Sequence, residues 1–257
     1  MNGPTTTPRL VWDQIRHQNS SFWRTPVAAF FTLALPVMFL VLFSLFFGDE
    51  SAGGVPFSQF FTPAIGVFAA ISATFTNLAI GTSQSRDLGV LKRVRGTPLP
   101  AWVYMAGRIG SGVWIAIISI ALMFSLGWLL YDFRIDWSNL PVAALVFLLG
   151  MATFSTMGLA VCGLVTSGES VPAAAQAIVL PMAFVSDVFI QTEEAPGWLQ
   201  AVGDVLPMKP FVSMFSDAFD PFHTGAVLDW AGLGVMAAWL IAALVITTRF
   251  FTWDPRG

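Results

Sequence analysis

The chain has 257 residues, of which 56% are hydrophobic and 11% charged, with a formal net charge of -3. About 25% charged is usual in a soluble domain, and a sphere of this size cannot hide so much Phe, Leu, Ala, Val and Trp from water. A water-soluble fold is therefore excluded, as is a nucleic-acid binder built on bulk positive charge, and the single cysteine, Cys162, excludes an intrachain disulfide.

Taken in chain order, residues 8–24 predict an interfacial helix on one membrane face. Val11, Trp12, Ile15 and Phe22 fall near one side, and Arg9, Asp13, Arg16 and Gln18 fall elsewhere. A spanning helix needs about 20 mostly apolar residues, and stretches of that length recur. They predict spans at about 27–47, 60–82, 107–130, 142–166, 172–191 and 227–250, the fifth interrupted only by Asp187. The core of the first is too long for a secretory signal, and Phe47-Gly48-Asp49-Glu50 offers no cleavage site, so it reads as an uncleaved helix. The expected fold is an all-α polytopic membrane protein: one transmembrane domain over 1–257.

Orientation follows from Lys and Arg. Arg9, Arg16 and Arg24 precede span one, Arg86, Lys92, Arg93, Arg95 and Arg108 lie about the connection of spans two and three, and Arg249 and Arg256 follow span six. Only Arg134 and Lys209 fall in the alternate loops, which carry ten acids, among them Asp132, Asp136, Glu193, Glu194, Asp204, Asp217 and Asp220. The expected placement is multi-pass in the cell (plasma or inner) membrane with both termini cytoplasmic, which requires an even number of spans.

Two connections carry further pattern. Between spans two and three, Leu88, Leu91 and Val94 repeat at helical spacing beside Arg86, Lys92, Arg93 and Arg95, and Gly96, Pro98 and Pro100 then stop the helix. A topology signal or an anchor on anionic lipid explains such a basic amphipathic segment as well as docking does. Before span six, Trp198, Leu199, Val202 and Leu206 form one apolar stripe and Phe211, Val212, Phe215 and Phe219 another, separated by Pro207 and Pro210. Neither run is long enough to span, so the pair forms either an interfacial lid or a re-entrant hairpin.

No catalytic constellation emerges. His17 and His223 fall on opposite sides of the membrane in this topology, and Glu193-Glu194 is followed by Trp198 where a prenyl-protease-like site expects Arg. Thr74, Asn77, Thr153 and Thr156 are polar groups inside spans, and Asp187 is the one acid there, close to the outer end. Together they form a candidate substrate pathway, with interhelical hydrogen bonding and water contact as the competing readings. Gly107, Gly110, Gly158 and Gly163 are sites of close helix approach.

Arg86-Asp87-Leu88-Gly89-Val90-Leu91-Lys92-Arg93-Val94-Arg95-Gly96-Thr97-Pro98-Leu99 resembles the segment before span three of the membrane subunits of ABC-2 type exporters: an acid, Gly, a basic cluster and Thr-Pro-Leu. Leu180-Pro181 to Phe189 is similar to that family's Pro and Ser-Gly pattern, with Asp187 where Gly is common, and Leu206-Pro207 resembles the Leu-Pro that recurs before span six. The resemblance implies a permease for a hydrophobic or amphipathic substrate such as a drug, lipid or glycolipid, with a second permease chain, identical or homologous, and two ATPase subunits. It also implies that Asp87, Leu88, Leu91, Lys92, Arg93 and Arg95 form the coupling helix, with Leu88 and Leu91 in an apolar groove of the ATPase. The two lysines, Lys92 and Lys209, follow no glycine, so the chain has no phosphate loop. No cofactor is expected in this chain, and ATP and Mg belong to the partner ATPase. An ion-coupled carrier and a non-transporting membrane scaffold stand as the alternatives.

Overall fold

The computed structural model describes residues 7–47, 51–52, 55–97, 99–165, 167–189 and 196–252, and leaves the side chains of Ala28, residues 51, 52 and 55, Arg95 and Ala101 undescribed. Glu193, Glu194, Asp49 and Glu50 lie outside the described residues. The chain is all-α and polytopic. Five helices are long and apolar enough to cross a bilayer: Phe30–Phe47, Phe57–Asp87, Trp102–Tyr131, Leu140–Leu164 and Trp230–Phe250, called spans one, two, three, four and six. The shorter Val171–Phe184 lies between spans four and six. A two-residue antiparallel ladder, Ser51–Ala52 with Val55–Pro56, joins spans one and two.

Spans two and four are the inner helices, with 78% and 72% of their most apolar windows buried, against 22% for span one and 17% for span six. This order follows from side-chain size. Span two carries Gly66, Ala69, Ala70, Ala73 and Ala79, and span four carries Gly150, Gly158, Ala160 and Gly163, so neighbouring backbones approach closely. A Cβ at Gly158 would stand 2.7 Å from the Phe75 carbonyl oxygen. That carbonyl lies in a π-helical turn, Ser72–Thr76, which widens span two where span four meets it.

The N-terminal helix Thr7–Trp23 lies along span three, where Cβ atoms at Gly107 and Gly110 would collide with Gln14 and Ile15. Those two glycines are packing sites, and their partner is the amphipathic helix.

The fifth passage departs from the expected 172–191. Its helix stops at Phe184, because Asp187 adopts a left-handed backbone (φ 58°) that turns the chain. Val188 and Phe189 then enter the core, where the Phe189 ring meets Phe68 at 5.3 Å, Phe39 at 5.4 Å and Phe184 at 5.1 Å. Apolar residues that counted toward a span's length are thus buried against spans one and two by a turn. A left-handed residue is also why Asp stands where the resemblance expects Gly, since Asp is among the few residues that tolerate αL.

The two short helices before span six, Gly197–Val205 and Met208–Phe219, form a hairpin whose second helix packs on spans four and six. The Phe211 ring fills the space over Gly150, ten residues into span four, and Trp239 Nε1, nine residues into span six, donates to the Val205 carbonyl at 2.8 Å. At 1.5 Å per residue both contacts lie about 14 to 15 Å along their spans, near the middle of a ~30 Å apolar layer. The second helix buries Met208, Phe211, Val212, Phe215 and Phe219, whereas Trp198 on the first remains 69% exposed.

Candidate functional site

Span two is the longest of the five spans, at 31 residues. It continues as one helix to Asp87, and the Leu88 and Gly89 amides then donate to the Gln84 and Arg86 carbonyls at 3.0 and 2.9 Å. Gly89 takes φ 67°, the left-handed conformation that closes a helix and that only a residue without Cβ adopts freely. A six-residue helix, Val90–Arg95, follows. The expected coupling segment is therefore two pieces, with Arg86 and Asp87 belonging to the end of span two.

Arg86 is fully buried. Its Nη1 donates to the Cys162 carbonyl at 2.7 Å and its Nη2 to the Val165 carbonyl at 3.3 Å, while Nε reaches Asp87 Oδ1, also at 3.3 Å. Cys162 lies in the last turn of span four, and Val165 caps that span's end. The planar guanidinium thus caps span four from span two, and its charge suits the negative end of a helix dipole. The Asp87 carboxylate lies against Gly168 in the next connection, where a Cβ would collide with it.

Arg108 ties the same end of span two to span three. Its Nη1 donates to Ser85 Oγ at 2.8 Å and Tyr104 Oη at 3.1 Å, and the guanidinium carbon sits 5.7 Å from the Tyr104 ring centroid. Composition counted Arg86 and Arg108 only as topology signals. Arg86 Nη2 also reaches Ser83 Oγ at 3.5 Å, one helical turn back, and that spacing was the sequence cue to a local contact.

The apolar stripe expected to dock divides. Leu91 is fully buried inside the chain, and Leu88 is 73% exposed. The reason is the turn at Gly89, which breaks the helical register that would have aligned the two leucines. Asp87, Leu88, Lys92 and Arg93 are the exposed members of the set, with Arg93 Nη2 donating to the Leu88 carbonyl at 3.2 Å. The Arg95 side chain lies outside the described residues. The connection is a knuckle at which the ends of spans two, three and four share polar contacts beneath one exposed leucine and two exposed cations.

The polar residues expected along a pathway are dispersed in helix contacts. Thr74 Oγ1 donates to the Ala70 carbonyl at 2.9 Å, Asn77 Nδ2 to Thr32 Oγ1 at 2.8 Å, and Thr153 Oγ1 to the carbonyls of Leu149 and Met236 at 2.8 and 3.3 Å. Thr156 Oγ1 donates to the Ala152 and Thr153 carbonyls, and its own carbonyl accepts from Thr247 at 3.3 Å. Asn77 and Thr153 thus bond between spans. A cavity of about 480 Å³ lies between spans two, four and six, the fifth passage and the hairpin, lined by Phe75, Met157, Met182, Leu206 and Trp239. None of Thr74, Asn77, Thr153, Thr156 or Asp187 lines it.

Residues 10–219 match the family model described as ABC-2 type transporter. The chain is 31% identical over 194 residues to the daunorubicin resistance ABC transporter permease protein DrrB1 of Streptomyces coeruleorubidus, covering 74% of this chain and 67% of that one. It is 22% identical to the putative transport permease YvfS of Bacillus subtilis, over 84% of this chain and 86% of the relative. Identity to the inner membrane transport permease YadH of Escherichia coli K12 is 20%, over 93% and 91%. With several apolar spans, a basic knuckle between spans two and three and a match over most of its length, the chain belongs to the ABC-2 type transporter family and is a transmembrane subunit of an ABC transporter.

Proposed function

We propose that this subunit exports a hydrophobic or amphipathic substrate, a drug, lipid or glycolipid, from the cytoplasm or inner leaflet, driven by a separate ATPase. The complex holds two permease chains, identical or homologous, and two ATPase subunits that bind ATP and Mg. The knuckle faces the cytoplasm with both chain ends, as the Lys and Arg distribution favours, and the membrane is the cell membrane. The observation that carries the reading is the knuckle itself: an exposed Leu88, flanked by Asp87, Lys92 and Arg93, stands on a turn bound to three spans. A push on Leu88 therefore reaches spans two, three and four together. Similarity to a permease named for daunorubicin resistance supports the substrate class. The test is ATP-dependent daunorubicin uptake into inside-out vesicles holding this chain and an ABC ATPase that co-purifies with it. Uptake that needs both chains and ATP supports the reading, and uptake driven by an ion gradient without ATP contradicts it.

A further inference from the structure

At the end opposite the knuckle, spans three and four diverge and leave an apolar groove of about 500 Å³ floored by Phe215 and Phe219 of the hairpin. Its rim is Ile117, Trp128, Trp137 and Leu140, all between 44% and 67% exposed, so it opens sideways toward lipid. Trp128, Ile135 and Trp137 also line a second cavity, of about 570 Å³, with Asp132 and Arg134. One continuous site is thus apolar along the spans and polar at its end, with tryptophans at the boundary, where interfacial indoles sit.

The polar end is held in place. Gln59, buried in span two, donates to the Arg134 carbonyl at 2.8 Å and accepts from the Arg134 amide at 3.1 Å. Phe133 is fully buried, and the Asp136 amide donates to the Phe219 carbonyl at 3.0 Å. Asp136 is engaged locally: Ser138 donates to it from backbone and hydroxyl at 2.8 and 2.7 Å, which holds its carboxyl below the usual range. Lys209 is bound to Asp204 at 2.7 Å. Asp132 and Arg134 differ from these, since among the described residues their side chains form no ion pair with each other or with a third group. A loop held in place therefore presents one carboxylate and one guanidinium to the same cavity at the mouth of an apolar groove.

We infer that this groove binds a phospholipid with a zwitterionic, primary-amine headgroup: its phosphate on Arg134, its ammonium on Asp132 and an acyl chain between spans three and four. Guanidinium to phosphate and carboxylate to ammonium are charge-assisted hydrogen bonds. A primary ammonium can donate to Asp132, whereas a quaternary ammonium cannot. The inference needs only the membrane setting and does not depend on export or on the ATPase.

Native mass spectrometry of the full-length chain, released from detergent with dioleoyl phosphatidylethanolamine, phosphatidylcholine or phosphatidylglycerol added at equal concentration, tests it. The unaltered chain should retain phosphatidylethanolamine best. Arg134→Gln should lower retention of all three lipids about three- to five-fold, the size of a solvent-facing charge contact. Asp132→Asn, which keeps a residue tolerant of αL, should remove only the preference for phosphatidylethanolamine. Ala144→Trp, on the groove wall, should lower retention of all three. Both charged side chains are exposed, so an unchanged thermal midpoint verifies that their variants fold. Equal retention of the three lipids, a preference for phosphatidylglycerol, or variants that change nothing would overturn the inference. Separation of a dimer by Ala144→Trp with lipid retention unchanged would also overturn it, making the groove a seam between two copies.

Discussion

A guanidinium with no exposed surface joins two spans through backbone carbonyls at the end of span four. Hydrogen bonds involving a charged group contribute about 1.5 to 3 kcal/mol each, and breaking a buried ionic contact typically costs about 3 to 5. Arg86→Ala should therefore remove about 3 to 5 kcal/mol, enough to lower the thermal midpoint and the monodisperse yield of the purified chain sharply. Arg86→Lys should fall between, because an ammonium cannot reproduce the fork, and an unchanged midpoint for the alanine variant would mean the cap is dispensable. Asp187 obeys a different rule, set by backbone handedness. Left-handed geometry costs most L-residues about 1 to 2 kcal/mol, so Asp187→Gly should stay within about 1 kcal/mol of the parent while Asp187→Val loses about 2 or more in the same measurement. At the far end of the hairpin, burial pushes the Asp217 carboxyl up; neighbouring Asp220 adds to this, and His223, with Nδ1 3.5 Å away, opposes it. A raised carboxyl binds its proton more tightly folded than unfolded, so its contribution is present at low pH and lost as pH rises through the raised value. Thermal midpoints from pH 4 to 7 should fall less steeply for Asp217→Asn than for the parent.

At the scale of elements, five of the six expected spans were legible in their order, because an apolar run near 20 residues has few uses other than crossing a bilayer. The N-terminal helix was legible from the 3.6-residue spacing of Val11, Ile15 and Phe22. The end of the fifth passage was not, since composition cannot distinguish apolar residues that continue a helix from Val188 and Phe189, which turn back into the core. Nor was the burial of Leu91: helical spacing placed it beside Leu88, and the left-handed Gly89 between them separated the two. Arg86 escaped for a related reason, because charge counting treats every arginine as wet. The hairpin was legible as two short helices, but its depth depends on close contacts that no periodicity encodes. One of these is testable. A Cβ at Gly203 would stand 2.3 Å from the Val185 carbonyl oxygen, so Gly203→Ala should pull the first hairpin helix from the end of the fifth passage. Hydrogen exchange of residues 197–205 should then rise relative to the parent while that of span four stays unchanged.

Across the whole molecule, the two inner helices meet span three at the knuckle, so the exposed surface at Leu88 is bonded to the centre of the fold. The cavity beside span two is bounded by span four, the fifth passage, span six and the hairpin. The proposed docking of the ATPase on Leu88 has an internal control in Leu91, which is buried in the chain. The direct measurement is co-purification of the ATPase with the permease, alongside ATP-dependent transport, for the parent, Leu88→Asp and Leu91→Asp. Burying one leucine contributes about 1.5 to 3 kcal/mol. Leu88→Asp should therefore leave a normal amount of folded permease while bound ATPase falls more than ten-fold and transport stops; Leu91→Asp should reduce the folded permease itself. Full retention of ATPase and normal transport in Leu88→Asp would show that the ATPase does not dock on Leu88.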